Sequence, residues 1–247
     1  MKKIFGLLLL LALLSLCLSC SENTTPLTLN TTSVSLYSGD EHMITSNGTN
    51  VSFKSRNPYI AGVNESTGKV IGRTIGKTII DVTSDQGSAQ LNIQVKPKYN
   101  TYVEPCIDFY QSKNYIISMF GTPDSETDEG IMYVYPDNKK HFADMYAFEN
   151  NKLSVSYAIM HQDYAAEAMK FLGERYIPVG ISDGGAYVFA NGISEETATM
   201  LVSMSKMSGY KFYMIIYMPS PSNTRCIFDN AYYQSMLSSR YFDKYQE

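Results

Sequence analysis

The 247-residue chain has no tryptophan and only three histidines, His42, His141 and His161. All three precede Ser182, the serine of a Gly180-Ile181-Ser182-Asp183-Gly184 stretch that matches G-x-S-x-G. A nucleophile elbow of that type needs a helix after the serine and a histidine later in the chain. Here a strand-like run, Ala186 to Ala190, follows instead, so a hairpin turn on Asp183-Gly184 accounts for the same residues. Phosphate-loop and dinucleotide fingerprints are absent, so no cofactor is expected. Positive charge is also scarce. Lys and Arg number 20 against 24 Asp and Glu, for a net charge of −4, which disfavours a nucleic-acid partner. Cysteine is limited to four, and neither Cys106 nor Cys226 sits in a C-x-x-C pair, which argues against zinc and dithiol redox chemistry there.

Metal ligation is poorly provided for. Asp124, Glu126, Asp128, Glu129 and Gly130 form an acidic loop, but a calcium loop counted from Asp124 ends at Tyr135 rather than at the required bidentate glutamate. His161 with Asp163, and His141 with Asp144, offer two ligands each, too few for a site. The expectation is a non-catalytic protein without a metal. A content of 44% hydrophobic and 18% charged residues is that of a folded globular chain.

What is present begins with Met1-Lys2-Lys3, an apolar run from Ile4 to Leu14, and Ser15-Leu16-Cys17-Leu18-Ser19-Cys20. A positive start followed by a short apolar run is a secretory signal. It is too short to span a bilayer, which takes about 20 residues. Leu18-Ser19-Cys20 resembles the lipobox of bacterial lipoproteins. That resemblance implies a signal peptide over residues 1–19, cleavage before Cys20, acylation of Cys20 and a tether over residues 20–26. Two or three acyl chains would hold the protein on a membrane, since each buried methylene contributes about 0.8 kcal/mol. No aspartate follows Cys20, which by the same resemblance points to the outer membrane and leaves the face undetermined. Loss of Lys2 and Lys3 takes the net charge from −4 to −6. Cys106 and Cys226 then remain, and both a disulfide and two separate buried thiols fit the sequence.

Residues 27–97 read as short strands. Ala89, Leu91, Ile93 and Val95 alternate with Gln90, Asn92 and Gln94, the period of a half-buried strand. Thr78 to Val82 and Val51 to Phe53 are further strands, with turn residues at Gly39-Asp40, Asn47-Gly48, Asn57-Pro58, Gly68, Gly76 and Gly87. Short antiparallel strands so spaced predict a sandwich. Leu29…Ser33-Val34-Ser35-Leu36…Gly39-Asp40, then Phe53-Lys54-Ser55-Arg56-Asn57-Pro58…Ala61-Gly62-Val63, then Gly68-Lys69-Val70…Gly72…Gly76-Lys77-Thr78…Ile80 resemble the successive motifs of bacterial immunoglobulin-like domains of group 2. Phe53 stands where that family often has Trp. The resemblance implies a spacer or binding module of a surface or adhesion protein.

Residues 98–247 change to a mixed pattern. Ser112 can cap a helix with the stripe Tyr115, Ile116, Met119 and Phe120, stopped at Gly121. Strand-like runs follow at Ile131–Tyr135, Phe142–Phe148 and Leu153–Ile159, the last two joined at Asn150-Asn151. The order recurs. Asp163 is expected to cap a helix with the stripe Ala165, Ala168, Met169 and Leu172, followed by strands at Ala186–Ala190, Thr199–Met204 and Lys211–Met218, and a last helix near Asn230–Tyr241. The predicted fold is therefore an all-β immunoglobulin-like sandwich followed by an α+β domain of two helix-plus-three-strand units. Ser112…Ile116…Phe120-Gly121-Thr122-Pro123-Asp124 resembles the helix motif of small periplasmic lipoproteins related to β-lactamase inhibitor protein, which implies protein binding. Tyr133, Tyr135, Tyr213 and Tyr217 form strand-face rows that could present a ligand surface for a glycan or a protein. The functional expectation is a lipid-anchored cell-envelope protein for adhesion or ligand binding. The alternative is a structural or assembly lipoprotein inside the envelope.

Overall fold

A computed structural model describes residues 25–194 and 196–220. The signal sequence, Cys20, Cys226 and the helix expected near Asn230–Tyr241 lie outside the described residues.

The first domain is a sandwich of two sheets. One has the order β1 (Ser33–Leu36), β7 (Gly87–Val95), β6 (Gly76–Ser84), β3 (Ser52–Ser55); the other runs β2 (Glu41–Met43), β5 (Lys69–Gly72), β4 (Ala61–Val63). β1 lies parallel to β7 and the remaining pairs are antiparallel. Alternation fixes what faces inward: Ile80, Val82, Leu91, Ile93 and Val95 are buried, and Gln90, Asn92 and Gln94 are exposed. Leu36, Phe53, Ala61 and Val70 complete an almost wholly aliphatic core. Each such side chain contributes roughly 1.5–3 kcal/mol on burial, so dry packing is this domain's main stabilising term. Gly68 sits at φ +72°, and a Cβ there would meet the Phe53 ring at 2.7 Å. Backbone conformation and close approach both demand glycine at that position.

Among the described residues, those after the sandwich build one eight-stranded antiparallel sheet. Its strands are β8 (Ser125–Glu126), β9 (Gly130–Val134), β10 (Ala143–Glu149), β11 (Lys152–His161), β12 (Ile177–Ile181), β13 (Tyr187–Ala190), β14 (Met200–Lys206) and β15 (Phe212–Pro219). The spatial order is β12-β13-β14-β15-β11-β10-β9-β8. Helix α1 (Lys113–Phe120) precedes β8, and α2 (Ala165–Gly173) precedes β12. The described chain is thus mostly β, with an immunoglobulin-like sandwich and two short helices. Each helix is followed by four strands rather than the three expected, because β8 and β12 were hidden in irregular sequence. The two sets of four meet at the antiparallel pair β11–β15.

Local signals account for most of these elements. Ser112 caps α1, its Oγ accepting from the Tyr115 N–H at 3.2 Å, and the Gly121 N–H closes the helix onto the Ile117 carbonyl at 2.8 Å. Only Ile116 of the expected stripe is buried; Met119 and Phe120 are exposed. Before α2 the cap is the His161 side chain, at the head of a 3-10 turn over Gln162–Tyr164, not Asp163. The α2 stripe rotates to Ala168, Phe171 and Leu172. Asn150 and Asn151, at φ 51° and 58°, make the two-residue turn between β10 and β11.

The two faces of the large sheet differ. On one, α1, α2 and the irregular segment 98–111 pack over Tyr146, Leu153, Ala158, Met160, Val202, Met204, Ile215 and Tyr217. The other carries Met132, Met145, Ala147, Ile159, Met214 and Ile216.

Candidate functional site

The tyrosines expected on a ligand surface lie mainly inside. Tyr217 is fully buried and Tyr133 nearly so, while Tyr135 and Tyr213 are half-buried against the same two cores. They occupy the sheet face covered by the helices, which alternation alone could not reveal. The Tyr217 and Tyr102 hydroxyls hydrogen-bond each other, and the Tyr133 hydroxyl donates to the Gly121 carbonyl at 2.9 Å. Burial pushes Tyr102, Tyr146, Tyr176 and Tyr217 well above the usual phenol range, by disfavouring the phenolate. Cys106 is a free, buried thiol raised by the same desolvation, with Ser156 Oγ on its carbonyl at 2.5 Å.

At the end of α2, Glu174 and Arg175 organise a polar joint that nothing local in the sequence announces. The buried Glu174 carboxylate accepts the Lys98 N–H at 2.8 Å and the Tyr99 N–H at 3.0 Å, and the Arg175 guanidinium at 2.6 Å. Arg175 also donates to the Tyr99 and Phe171 carbonyls and stacks 3.5 Å from the Phe171 ring centroid. The sandwich attaches here: the Ile75 N–H donates to the Glu174 carbonyl at 2.8 Å, and the Tyr59 hydroxyl to the Arg175 carbonyl at 2.5 Å. Burial, helped by the charge of Glu104, raises Tyr59 to about 12. Tyr176 donates to Glu104 at 2.6 Å. Every strong donor in the joint has a partner, as a buried polar cluster requires.

The remaining polar motifs are structural in their geometry. His141 Nε2 lies 2.6 Å from Asp144 Oδ1, both buried, and Tyr135 donates to Asp144 Oδ2 at 3.1 Å. Desolvation and Asp144 together push the Tyr135 phenol up. Asp124 of the acidic loop accepts the Val134 N–H, and Glu126 pairs with Lys113 at 3.5 Å. His161 pairs with Asp163 at 3.1 Å. Among the described residues no three His, Cys, Asp or Glu side chains gather as metal ligands. Ser182 turns the β12–β13 hairpin, its Oγ accepting the Ala186 N–H at 3.1 Å, and β13 rather than a helix follows. Among the described residues no helix is long and apolar enough to cross a membrane.

Hollows open to a ligand among the described residues include two of useful size. One of about 650 Å³ lies on the sandwich over Ser33, Ser35, Arg56, Lys77, Asn92 and Gln94. It is the polar outer face expected of a half-solvated sheet. The other, about 580 Å³, is an apolar groove beside the outermost strands, lined by Ile177, Val188, Ala190 and Leu201, with Val179 and Ile193 at its rim. Val179 is 63% exposed, as is Ile181 nearby at 66%. Register places Ile177, Val188, Ala190 and Leu201 on the sheet face away from the helices. A volume in the ordinary ligand range with apolar walls makes this groove the better candidate site. The Ile177-Pro178-Val179-Gly180-Ile181 run does carry a signal, since a proline inside an apolar run marks an outer strand.

Residues 25–95 match the family of bacterial Ig-like domains, group 2. Solved structures that align with the chain include the C-terminal 282-residue fragment of intimin in complex with the intimin-binding domain of the translocated intimin receptor, at 20% identity and TM-score 0.27. That alignment covers 52% of this chain, which spans 61% of the intimin fragment's length. Domains 5–6 of the S-layer protein SbsC align at 14% identity and TM-score 0.26, over 81% of this chain and 86% of that one. SbsC domains 4–9 align at 14% identity and TM-score 0.24, over 80% and 27%. No curated protein matches the chain.

Proposed function

We propose that this is a non-catalytic, lipid-anchored protein of the bacterial outer membrane that binds an extracellular protein partner through its second domain. The anchor rests on Leu18-Ser19-Cys20, with residues 1–19 as signal and 20–26 as tether. The immunoglobulin-like match over residues 25–95 supports a surface or adhesion role, with that domain as spacer. The groove on β12–β14 carries the binding reading, because its apolar walls and exposed rim fit apolar side chains of a protein better than a sugar. The mature chain, screened against host-matrix proteins, glycans and envelope proteins, binds a protein at micromolar levels, and Ile193→Asp weakens that binding without lowering the melting temperature. Binding unchanged by Ile193→Asp, or no binding across the screen, would overturn this role.

A second reading, a structural or assembly lipoprotein acting inside the envelope, is favoured by the twice-repeated order of one helix and four strands. That order suits an α+β domain built from two units, as in the small periplasmic lipoproteins that the α1 motif resembles. Protease shaving of intact cells separates the two readings, because only a surface-exposed chain is cut.

A further inference from the structure

A pull on an anchored protein crosses the sandwich from the point where the chain enters to the point where it leaves. Both points are fixed by contacts. A Cβ on Gly48 would meet the Leu27 side chain at 2.7 Å and that of Ser84 at 2.9 Å, so the chain enters beside the β6–β7 turn. It leaves at the far end of β7, where Val95 pairs with Leu36 on one side and Gly76 on the other. The joint lies at that end: the Ile75 N–H reaches the Glu174 carbonyl, the Lys98 and Tyr99 amides reach its carboxylate, and Lys98 Nζ lies 6.0 Å from the Tyr37 ring centroid. β6 and β7 have nine residues each, which sets entry and exit about 30 Å apart along the strands.

β1 is the first strand after the entry and β7 the last before the exit, and they pair in parallel from Ser33–Asn92 to Leu36–Val95. Force at Pro26 therefore draws β1 one way along the sheet while force at the joint draws β7 the other. Bonds between strands run across that direction, so sliding strains the whole ladder together. The Asn92 N–H on the Thr32 carbonyl at 2.9 Å and the Lys96 N–H on the Leu36 carbonyl at 2.8 Å extend the ladder at its two ends. Ahead of it, the Asn47 carboxamide accepts the Thr28 N–H at 2.7 Å and donates to the Pro26 carbonyl at 3.0 Å, and the Asn30 N–H donates to the Thr45 carbonyl at 2.9 Å. An antiparallel pairing of the same two strands would place entry and exit at one end, where a pull parts the ladder one pair at a time. We propose that the sandwich is a shear clasp that transmits tension between the membrane tether and the second domain. This function rests on the reading of a chain anchored at one end and engaging a partner at the other, and it gives the domain a mechanical task beyond spacing.

Single-molecule pulling reads this directly, because rupture force follows the unfolding barrier. The sample is the mature chain expressed without its signal, and so unacylated. Handles clicked to azide-bearing residues at positions 25 and 98 load the sandwich lengthwise. Handles at positions 37 and 98, which lie side by side at the exit, load the same β1–β7 ladder from one end. Lengthwise rupture should need about two- to fourfold more force at equal loading rate, since four pairs part together instead of singly. A step of about 220 Å, the extended length of residues 25–98 less their folded span, identifies the sandwich. The Thr32 and Leu36 carbonyls face β7, so alternation turns the Val34 amide there too. Val34→Pro removes that donor and should lower the lengthwise force, whereas Lys54→Gln on the outer face of β3 should not. Equal forces in the two directions would overturn the clasp, as would a lengthwise force unchanged by Val34→Pro. Should Val34→Pro not fold, the two directions in the otherwise unaltered chain decide. Equal forces in a chain that does bind a partner overturn the clasp alone. A directional difference in a chain that binds none supports the clasp and removes only the binding role.

Discussion

The sandwich and the large-sheet domain are held together by different chemistry. The first core is aliphatic, with Phe53 its one fully enclosed ring. The second is built of tyrosine, phenylalanine and methionine, and it encloses phenol hydroxyls, the His141–Asp144 pair and the Glu174 carboxylate. A dry core is sensitive to volume, whereas a polar core is sensitive to the loss of any single partner. The contrast teaches that the buried tyrosines of the second domain, Tyr102, Tyr146, Tyr176 and Tyr217 among them, serve its interior.

The widest separation between the two domains is expected at alkaline pH. Tyr102, Tyr135, Tyr146, Tyr176 and Tyr217 of the second domain have raised folded-state values, and Tyr59 at the joint is raised to about 12. Unfolded phenols titrate near 10, so the folded state holds more protons above that point. Their contribution is fully present below pH about 10 and is lost as pH rises through the folded values. Urea titrations at rising pH should show the second domain weakening first, with the tyrosinate absorbance of its buried phenols appearing only on unfolding, after that of the exposed Tyr37, Tyr110 and Tyr187. Ionisation of the full tyrosine complement while the second domain is still folded would contradict it.

Next in size is Glu174→Ala, which takes the carboxylate from Arg175 and leaves the Lys98 and Tyr99 amides without their acceptor, and should cost about 3–5 kcal/mol. Hydrogen exchange should show the loss at Lys98, Tyr99 and Ile75 while β6 and β7 stay protected. Leu91→Ala in the sandwich should cost about 2–5 kcal/mol by cavity formation, and confine faster exchange to the first domain. The smallest effect is expected of Tyr102→Phe, about 1 kcal/mol, since it removes one hydrogen bond and keeps the ring against Phe171. Equal responses of both domains to these three substitutions, measured by urea unfolding, would erase the distinction drawn here.

Periodicity and turn chemistry made much of the molecule readable. Leu91, Ile93 and Val95 announced β7, Ser112 and Gly121 bounded α1, and Asn150-Asn151 marked a hairpin, because each signal is local. The immunoglobulin-like segment was legible for the same reason, as its motifs fall within residues 25–95. Tyr213 and Tyr217 were correctly placed on one strand face. Alternation cannot say whether a face is covered, however, and α2 with segment 98–111 covers theirs. β12 escaped because Pro178 and Gly180 interrupt its apolar run. The Glu174 joint escaped because its partners lie about 75 residues away in sequence.

The borders of the eight-stranded sheet have a consequence for molecules held close together. At one side, Pro178 removes an amide donor and a register shift between Pro178 and Gly180 bends the rim. At the other, β8 offers only Ser125 and Glu126. Neighbouring copies therefore find no long, straight ladder to extend, and the protein can be present at high density without fusing laterally into continuous β-structure.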